Sequence, residues 1–321
     1  MFDRPLDPAL EPFARSVLDG LSRRPKRLEP KWFYDAEGSR LFEAITRLPE
    51  YYPTRAETAI LTEAAEEIAA RIGPGAALWE PGAGSLAKAR LLLDALRPDV
   101  FAPMDISAEH LDGAAEALRA ERPGLTVAPV AADFAEPFAP PPEARAARTL
   151  VAFFPGSTIG NLDPEAARAL LARFRREAGA DWLLIGVDLV KDEARLVAAY
   201  DDAQGVTAAF NLNLLARINR ELEGTFDLDG FTHVARFDRE ASRVEMLLES
   251  RRAQQPQALG RRFRFAAGER MLTERSYKYR PDAFAALAAE AGWSRRGLWT
   301  GREALFAVFL FEAEQRVGRR D

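Results

Sequence analysis

The residues best suited to chemistry stand at the ends of short apolar runs. Glu80-Pro-Gly-Ala-Gly-Ser85 follows the run AALWE and opens a helical pattern at Leu86. Glycine serves where a chain turns tightly or where backbone must approach a ligand more closely than a Cβ allows, and Gly82 and Gly84 occupy those two positions. On spacing alone the stretch also satisfies a relaxed dinucleotide fingerprint, and a plain strand-to-helix turn without a ligand explains it too. Asp105 ends the next apolar run, where a carboxylate accepts from both hydroxyls of a ribose. Asp133-Phe134 follows a third run and offers an acceptor for an adenine amino group and a ring to cover its face. Glu80 puts a second carboxylate beside the ligand, which suits a cofactor with a positive charge and an amino-acid tail better than a pyrophosphate.

These groups need a scaffold that brings successive strand ends to one edge. Candidate strands at 76–80, 101–105, 126–130, 149–154 and 182–188 alternate with helical patterns over 86–96, 107–121 and 163–178. Such alternation predicts a parallel, doubly wound α/β sheet with right-handed crossovers. After Asp188 the rhythm changes to a long helical stretch, 194–223, and then to strand-like segments at 233–238, 242–252 and 261–279. A helix over 281–292 and two strands around a Thr-Gly turn close the chain, the last (304–312) antiparallel. The Ala/Pro-rich stretch 134–148 reads as a surface connection. Three acids and a glycine turn on three strand ends of such a sheet point to S-adenosylmethionine and to a Rossmann-like, class I methyltransferase sheet, mostly parallel with its last strand antiparallel.

Composition narrows the alternatives. The 321 residues carry 44 Lys+Arg against 49 Asp+Glu, a net charge of −5 without a basic block, which argues against nucleic acid as a partner. With no cysteine, thiolate nucleophiles, disulfides and Cys-ligated zinc are ruled out. The two histidines, His110 and His233, lie too far apart for a local metal motif, and no metal is expected. No apolar run reaches the roughly 18 residues of a membrane span, and the expected address is the cytoplasm.

Several long motifs occur in order: WFYDAEGSRLFEAITRLPEYYPTRAE (32–57), the glycine turn, FFPGSTIGNL (153–162), GVDLVKD (186–192), SRVEMLL (242–248) and TERSYKYRPDAF (273–284). Together they resemble the S-adenosylmethionine-dependent L-histidine Nα-methyltransferases that form hercynine on the way to ergothioneine, over about residues 12 to 312. The resemblance implies that Asn161 and Tyr51 hold the substrate carboxylate, and that Tyr34 lies near the amino group in a pocket walled by Phe42 and Gly156. It further implies that Glu274 and Ser276 recognise the imidazole beside Met246, and that Gly82, Lys88, Asp105, Asp133 and Phe134 bind the cofactor. Pro81 and Ala83 stand where the family often has Leu or Ile and Ser, a departure that leaves the spacing intact.

On this reading 57–191 with 281–321 form the cofactor domain, and 1–56 with 192–280 form a smaller α+β substrate-binding domain. The partners expected are L-histidine and its mono- and dimethyl forms, with S-adenosylhomocysteine as coproduct, no membrane, and a monomeric chain. Aromatic walls tolerate an amine that becomes a permanent cation, through cation–π attraction of about 0.5–2 kcal/mol. Three rival readings remain. A methyltransferase for another amino acid or small amine would be signalled by loss of Glu274 or Met246. A dinucleotide oxidoreductase needs a hydride-handling pair that is not evident. A silent binding module would not need the Asn161, Tyr51 and Glu274 set.

Overall fold

A computed structural model describes residues 7–314, apart from the side chains of residues 109 and 110. The His110 side chain, positions 1–6 of the expected substrate-binding domain and positions 315–321 of the expected cofactor domain therefore lie outside what is described. The chain divides into two compact units, each assembled from two stretches of sequence. One takes residues through Tyr52 together with Lys191–Tyr277; the other takes Pro53–Val190 and the chain from Lys278 onward.

The second unit is built on an eight-stranded sheet. Its order is Trp293–Thr300, Phe306–Ala313, Trp182–Asp188, Thr149–Phe154, Ala76–Pro81, Val100–Asp105 and Thr126–Val127, with Val130–Ala131 also pairing with Val100–Asp105. Neighbours from Trp182–Asp188 through the Thr126–Val127 edge run parallel. Phe306–Ala313 is antiparallel to Trp182–Asp188 and forms a hairpin with Trp293–Thr300. The central strands are buried along almost their whole length, as in a sheet covered on both faces. The helix Tyr52–Ile72 contributes Ile60, Leu61, Ala64, Ile68 and Ile72 at helical spacing to a core shared with Leu78, Val151 and Leu184. Leu61 and Ile68 are fully buried, each worth about 1.5–3 kcal/mol. A separate aromatic group joins Trp79, Phe138, Phe154 and Phe174 at centroid spacings of 5.3–5.8 Å. Phe138 and Ala144 are buried, so the stretch 134–148 is more than a surface connection.

The expected third strand, 126–130, is two two-residue pieces. Pro129 lies between them, and a proline has no N–H to donate to a ladder.

The first unit carries a three-stranded antiparallel sheet in the order Arg270–Tyr277, Arg243–Ser250, Phe231–Asp238. The segment 261–279 is not one strand: Arg261–Arg262 pairs with Gln257–Ala258, and a turn at Gly268 (φ +75°) precedes Arg270–Tyr277. The long helix expected over 194–223 is likewise interrupted, giving Glu193–Ala198 and Val206–Glu221. The cause is Asp202, whose carboxylate accepts from the Val206 and Thr207 N–H groups at 3.0 and 2.7 Å, while Gly205 takes φ +73°. Such local acceptance offers the backbone an alternative to continuing the helix.

Candidate active site

In the sheet unit the glycine turn has the geometry its residues suggest. Gly82 and Gly84 have φ of +72° and +53°, and a Cβ on Gly82 would come within 3.3 Å of the Phe134 ring. Gly82 and Ala83 donate to the Met104 carbonyl, and Gly84 N–H donates to Asp105 Oδ2 at 3.0 Å. Asp105 Oδ1 accepts from Ser107 N–H at 3.1 Å, so each oxygen is oriented by one amide and keeps a second lone pair. Asp133 Oδ1 accepts from Ala135 N–H at 2.8 Å, and the half-buried Phe134 ring meets Phe154 edge-on.

Glu80 is 1% exposed, and its Oε2 has no hydrogen-bond partner. Burial raises its pKa well above the ordinary glutamate range; Lys88 opposes the shift, while Glu57 and Asp105 add to it. A buried acceptor left without a partner beside an open glycine turn fits a cofactor that brings donors and positive charge. Lys88, in the first turn of the helix Ala87–Leu96, places Nζ 2.6 Å from Glu57 Oε2.

Gly156 and Asn161 follow the strand Thr149–Phe154. Gly156 has φ +82° and Ser157, a residue with a side chain, has φ +56°. A left-handed conformation costs a non-glycine residue about 1–2 kcal/mol and persists only where neighbours impose it. Here the Gly156 N–H donates to both oxygens of Glu57 at 3.0 and 2.9 Å, and Ser157 Oγ accepts from Asp188 N–H at 2.9 Å. Asn161 ends the short 3-10 turn Thr158–Asn161. Asp188 is itself buried against Lys278, with Nζ 2.7 Å away.

In the other unit Tyr34, Phe42, Tyr51 and Ser276 are linked by successive contacts. Tyr34 lies edge-on to Phe42 at 5.5 Å, Phe42 to Tyr51 at 6.2 Å, and Tyr51 to Tyr200 at 6.3 Å. Tyr200 Oη donates to Ser276 Oγ at 2.7 Å. In the sheet Glu274 pairs across with Met246, and Ser276 with Val244, so Glu274, Ser276 and Met246 share a face. Tyr277 takes the opposite face, where its hydroxyl accepts from Arg243 at 2.7 Å. Phe42 is presented by the helix Ala36–Thr46, whose N-cap Asp35 accepts from Gly38 N–H at 2.7 Å and from Asn213 Nδ2 at 2.8 Å. Phe210 backs both Tyr34 (5.8 Å) and Phe42 (6.0 Å).

Three contributors were not singled out from the sequence: Glu57, Tyr200 and Phe210. Glu57 closes the first motif and Phe210 sits at helical spacing, but neither position signals its partners. Tyr200 falls on the helix interruption, which an apolar periodicity does not reveal. Behind it, His233 is held between Asn211 Nδ2 at Nδ1 and the Tyr200 carbonyl at Nε2, both 2.8 Å. Asn211 can only donate there, so His233 is the neutral form with its proton on Nε2. Burial lowers its pKa, against the raising effects of the Tyr200 carbonyl, Asp201 and Asp202. Among the described residues no group of acids and histidines is arranged to hold a metal ion.

The sheet order, its antiparallel penultimate strand and the glycine turn flanked by Glu80 and Asp105 define a class I, Rossmann-like methyltransferase fold. Residues 13–313 match the model of the histidine-specific, S-adenosylmethionine-dependent methyltransferases, and the chain belongs to that family. It is 48% identical over 311 residues to the histidine N-alpha-methyltransferase of Mycolicibacterium smegmatis, covering 95% of this chain and 96% of that protein. The protein of the same name from Mycobacterium tuberculosis is 48% identical over 303 residues, 92% and 93% of the two chains. Ergothioneine biosynthesis protein 1 of Neurospora crassa is 32% identical over 290 residues, which is 86% of this chain and 32% of that longer protein.

Proposed function

We propose that the protein transfers three methyl groups in turn from S-adenosylmethionine to the α-amino group of L-histidine, yielding hercynine for ergothioneine synthesis, and that it works as a cytoplasmic monomer. The observation that most supports this substrate is the unbroken run from Tyr34 through Phe42, Tyr51 and Tyr200 to Ser276, with Glu274 and Met246 on the same sheet face as the serine. A free amino acid has three handles, and this surface offers matching groups: aromatic faces for an amine that becomes quaternary, hydroxyls for a carboxylate, and an acid with a hydroxyl for an imidazole.

The cofactor supplies an electrophilic methyl on a sulfonium centre. Gly82 and Gly84 would let the backbone approach it closely, Asp105 would accept from its ribose, Asp133 and Phe134 would take the adenine, and Glu80 and Lys88 would face its charged portion. Each round forms one N–C bond, breaks one S–C bond and releases one proton and one S-adenosylhomocysteine. No nucleophile beyond the amine is required, so the protein's task is alignment. Tyr51 and Asn161 act on the substrate carboxylate as neutral donors, adding no cation beside a sulfonium. Tyr34, Phe42 and Gly156 wall the amine. Glu274 and Ser276 read the two imidazole nitrogens, which an apolar side chain does not offer.

The test is incubation with S-adenosylmethionine and each of the twenty amino acids, followed by mass spectrometry. Histidine alone is expected to gain mass, ending at three methyl groups. Methylation of another amino acid in place of histidine, or arrest at one methyl, would overturn the assignment.

A further inference from the structure

We infer that Glu57 is a positioning residue for the methyl transfer, fixing the Lys88 ammonium and the Gly156 backbone relative to one another; the inference rests on the reading above. Glu57 is 1% exposed, yet both carboxylate oxygens have partners. Oε2 pairs with Lys88 Nζ at 2.6 Å, and both oxygens accept from Gly156 N–H. The strand Trp182–Asp188 makes room for it: a Cβ on Gly186 would lie 1.8 Å from Glu57 Oε1 and 3.0 Å from the Phe306 ring. One carboxylate thus joins four elements, namely its own helix Tyr52–Ile72, the Lys88 helix Ala87–Leu96, the loop at Gly156 and the strand that carries Gly186.

Hydrophobic packing does not require an acid there. A buried carboxylate persists only when charge and hydrogen bonds compensate its lost hydration. The compensation comes from two groups that matter to the reaction, the cofactor-facing lysine and the loop that walls the amine. A Cβ on Gly156 would sit 3.1 Å from Lys88 Nζ, so the lysine lies directly against that loop. Glu57 also neutralises Lys88, keeping a net positive charge from accumulating where a sulfonium must bind, and it is close enough to Glu80 to raise that group's pKa. Glu57 touches neither substrate nor reacting atoms on this account; it acts through Lys88 and Gly156.

The test is a double-mutant cycle of Glu57→Gln and Lys88→Met, with Gly186→Ala as an independent way to displace the carboxylate. Glu57→Gln retains a neutral acceptor for Gly156 and removes the charge. Calorimetry with S-adenosylhomocysteine and with S-adenosylmethionine, and single-turnover methyl transfer to histidine, are the readouts. Glu57→Gln is expected to weaken S-adenosylmethionine at least fivefold, more than it weakens the uncharged-sulfur coproduct. In the Lys88→Met background the same change should alter either affinity less than twofold, and Gly186→Ala should reproduce the Glu57→Gln pattern. In the unmodified protein the Gly156 amide proton should exchange slowly with solvent, a measurement that needs no variant to fold. Additive losses, equal effects on the two ligands, or an unprotected Gly156 amide would each overturn the inference. Failure of the unmodified enzyme to methylate histidine would instead remove the substrate reading, since the two calorimetric affinities that decide the cycle are read without histidine.

Discussion

Glu80→Gln isolates the electrostatics of the glycine turn. Glu80 is buried with one oxygen lacking a partner, and its pKa is raised by burial, eased by Lys88 and raised further by Glu57 and Asp105. The folded protein therefore keeps this proton at pH values where the unfolded chain, near the ordinary glutamate value of about 4.3, has lost it. Because the folded state then binds more protons, its stability falls as pH rises through that window, by up to about 1.4 kcal/mol per pH unit for one proton, and levels off above the folded pKa. Gln carries no titrating proton, so the variant should lose this slope. A sulfonium cofactor favours the ionised carboxylate, so binding should expel up to one proton, and affinity below the folded pKa should rise up to tenfold per pH unit. Titration calorimetry in buffers of different ionisation heat counts the proton directly, and working below about pH 7 keeps the cofactor's own amine charged. Proton release in the wild type and none in Glu80→Gln is the expected result. Equal proton release and equal pH slopes in both would refute the reasoning.

Three other outcomes follow from the geometry. Glu274→Ala should weaken histidine binding at least tenfold and leave S-adenosylhomocysteine affinity within twofold, as measured by calorimetry; equal losses for both would remove its assigned role. His233 is neutral in the fold with a lowered pKa, so stability is fully present above about pH 6.5 and declines as pH falls, because the unfolded chain takes up the proton first. Urea unfolding between pH 5 and 8 should show that decline, and His233→Gln should reduce it. Lys278→Met leaves Asp188 buried without its ammonium partner and should cost about 3–5 kcal/mol in urea unfolding, whereas adding Asp188→Asn should recover part of the loss.

Much of the architecture could be read in advance because its causes are local. Strands such as Thr149–Phe154 and Trp182–Asp188 are unbroken apolar runs, and helices such as Pro164–Arg176 begin at an Asp-Pro pair, with Asp163 accepting from Ala166 N–H. Glycines at 82 and 84 are legible for the same reason, since a tight turn with positive φ selects that residue type. The misreadings have local causes too: Pro129 divides a strand, and Asp202 with Gly205 interrupts a helix.

The residues of the aromatic segment proposed to hold the substrate come from the order of long motifs, not from their own spacing. The pairing of Glu274 with Met246 depends on a bulge between Leu272 and Glu274, which no periodicity announces. The same holds for Tyr200 and Ser276, 76 residues apart, and for Glu57 and Gly156, 99 apart.

What the sequence determined by itself was the alternation of strands and helices, the glycine turn and the acids at successive strand ends, because these follow from periodicity, backbone freedom and charge within a few residues. What only the tertiary structure decided was which distant groups meet: the Glu57 carboxylate in the space left by Gly186, Tyr200 on Ser276, and Glu80 sealed from water. Burial and hydrogen-bond partnership are properties of the packed chain, and they convert an ordinary-looking glutamate into a link between a lysine and a loop.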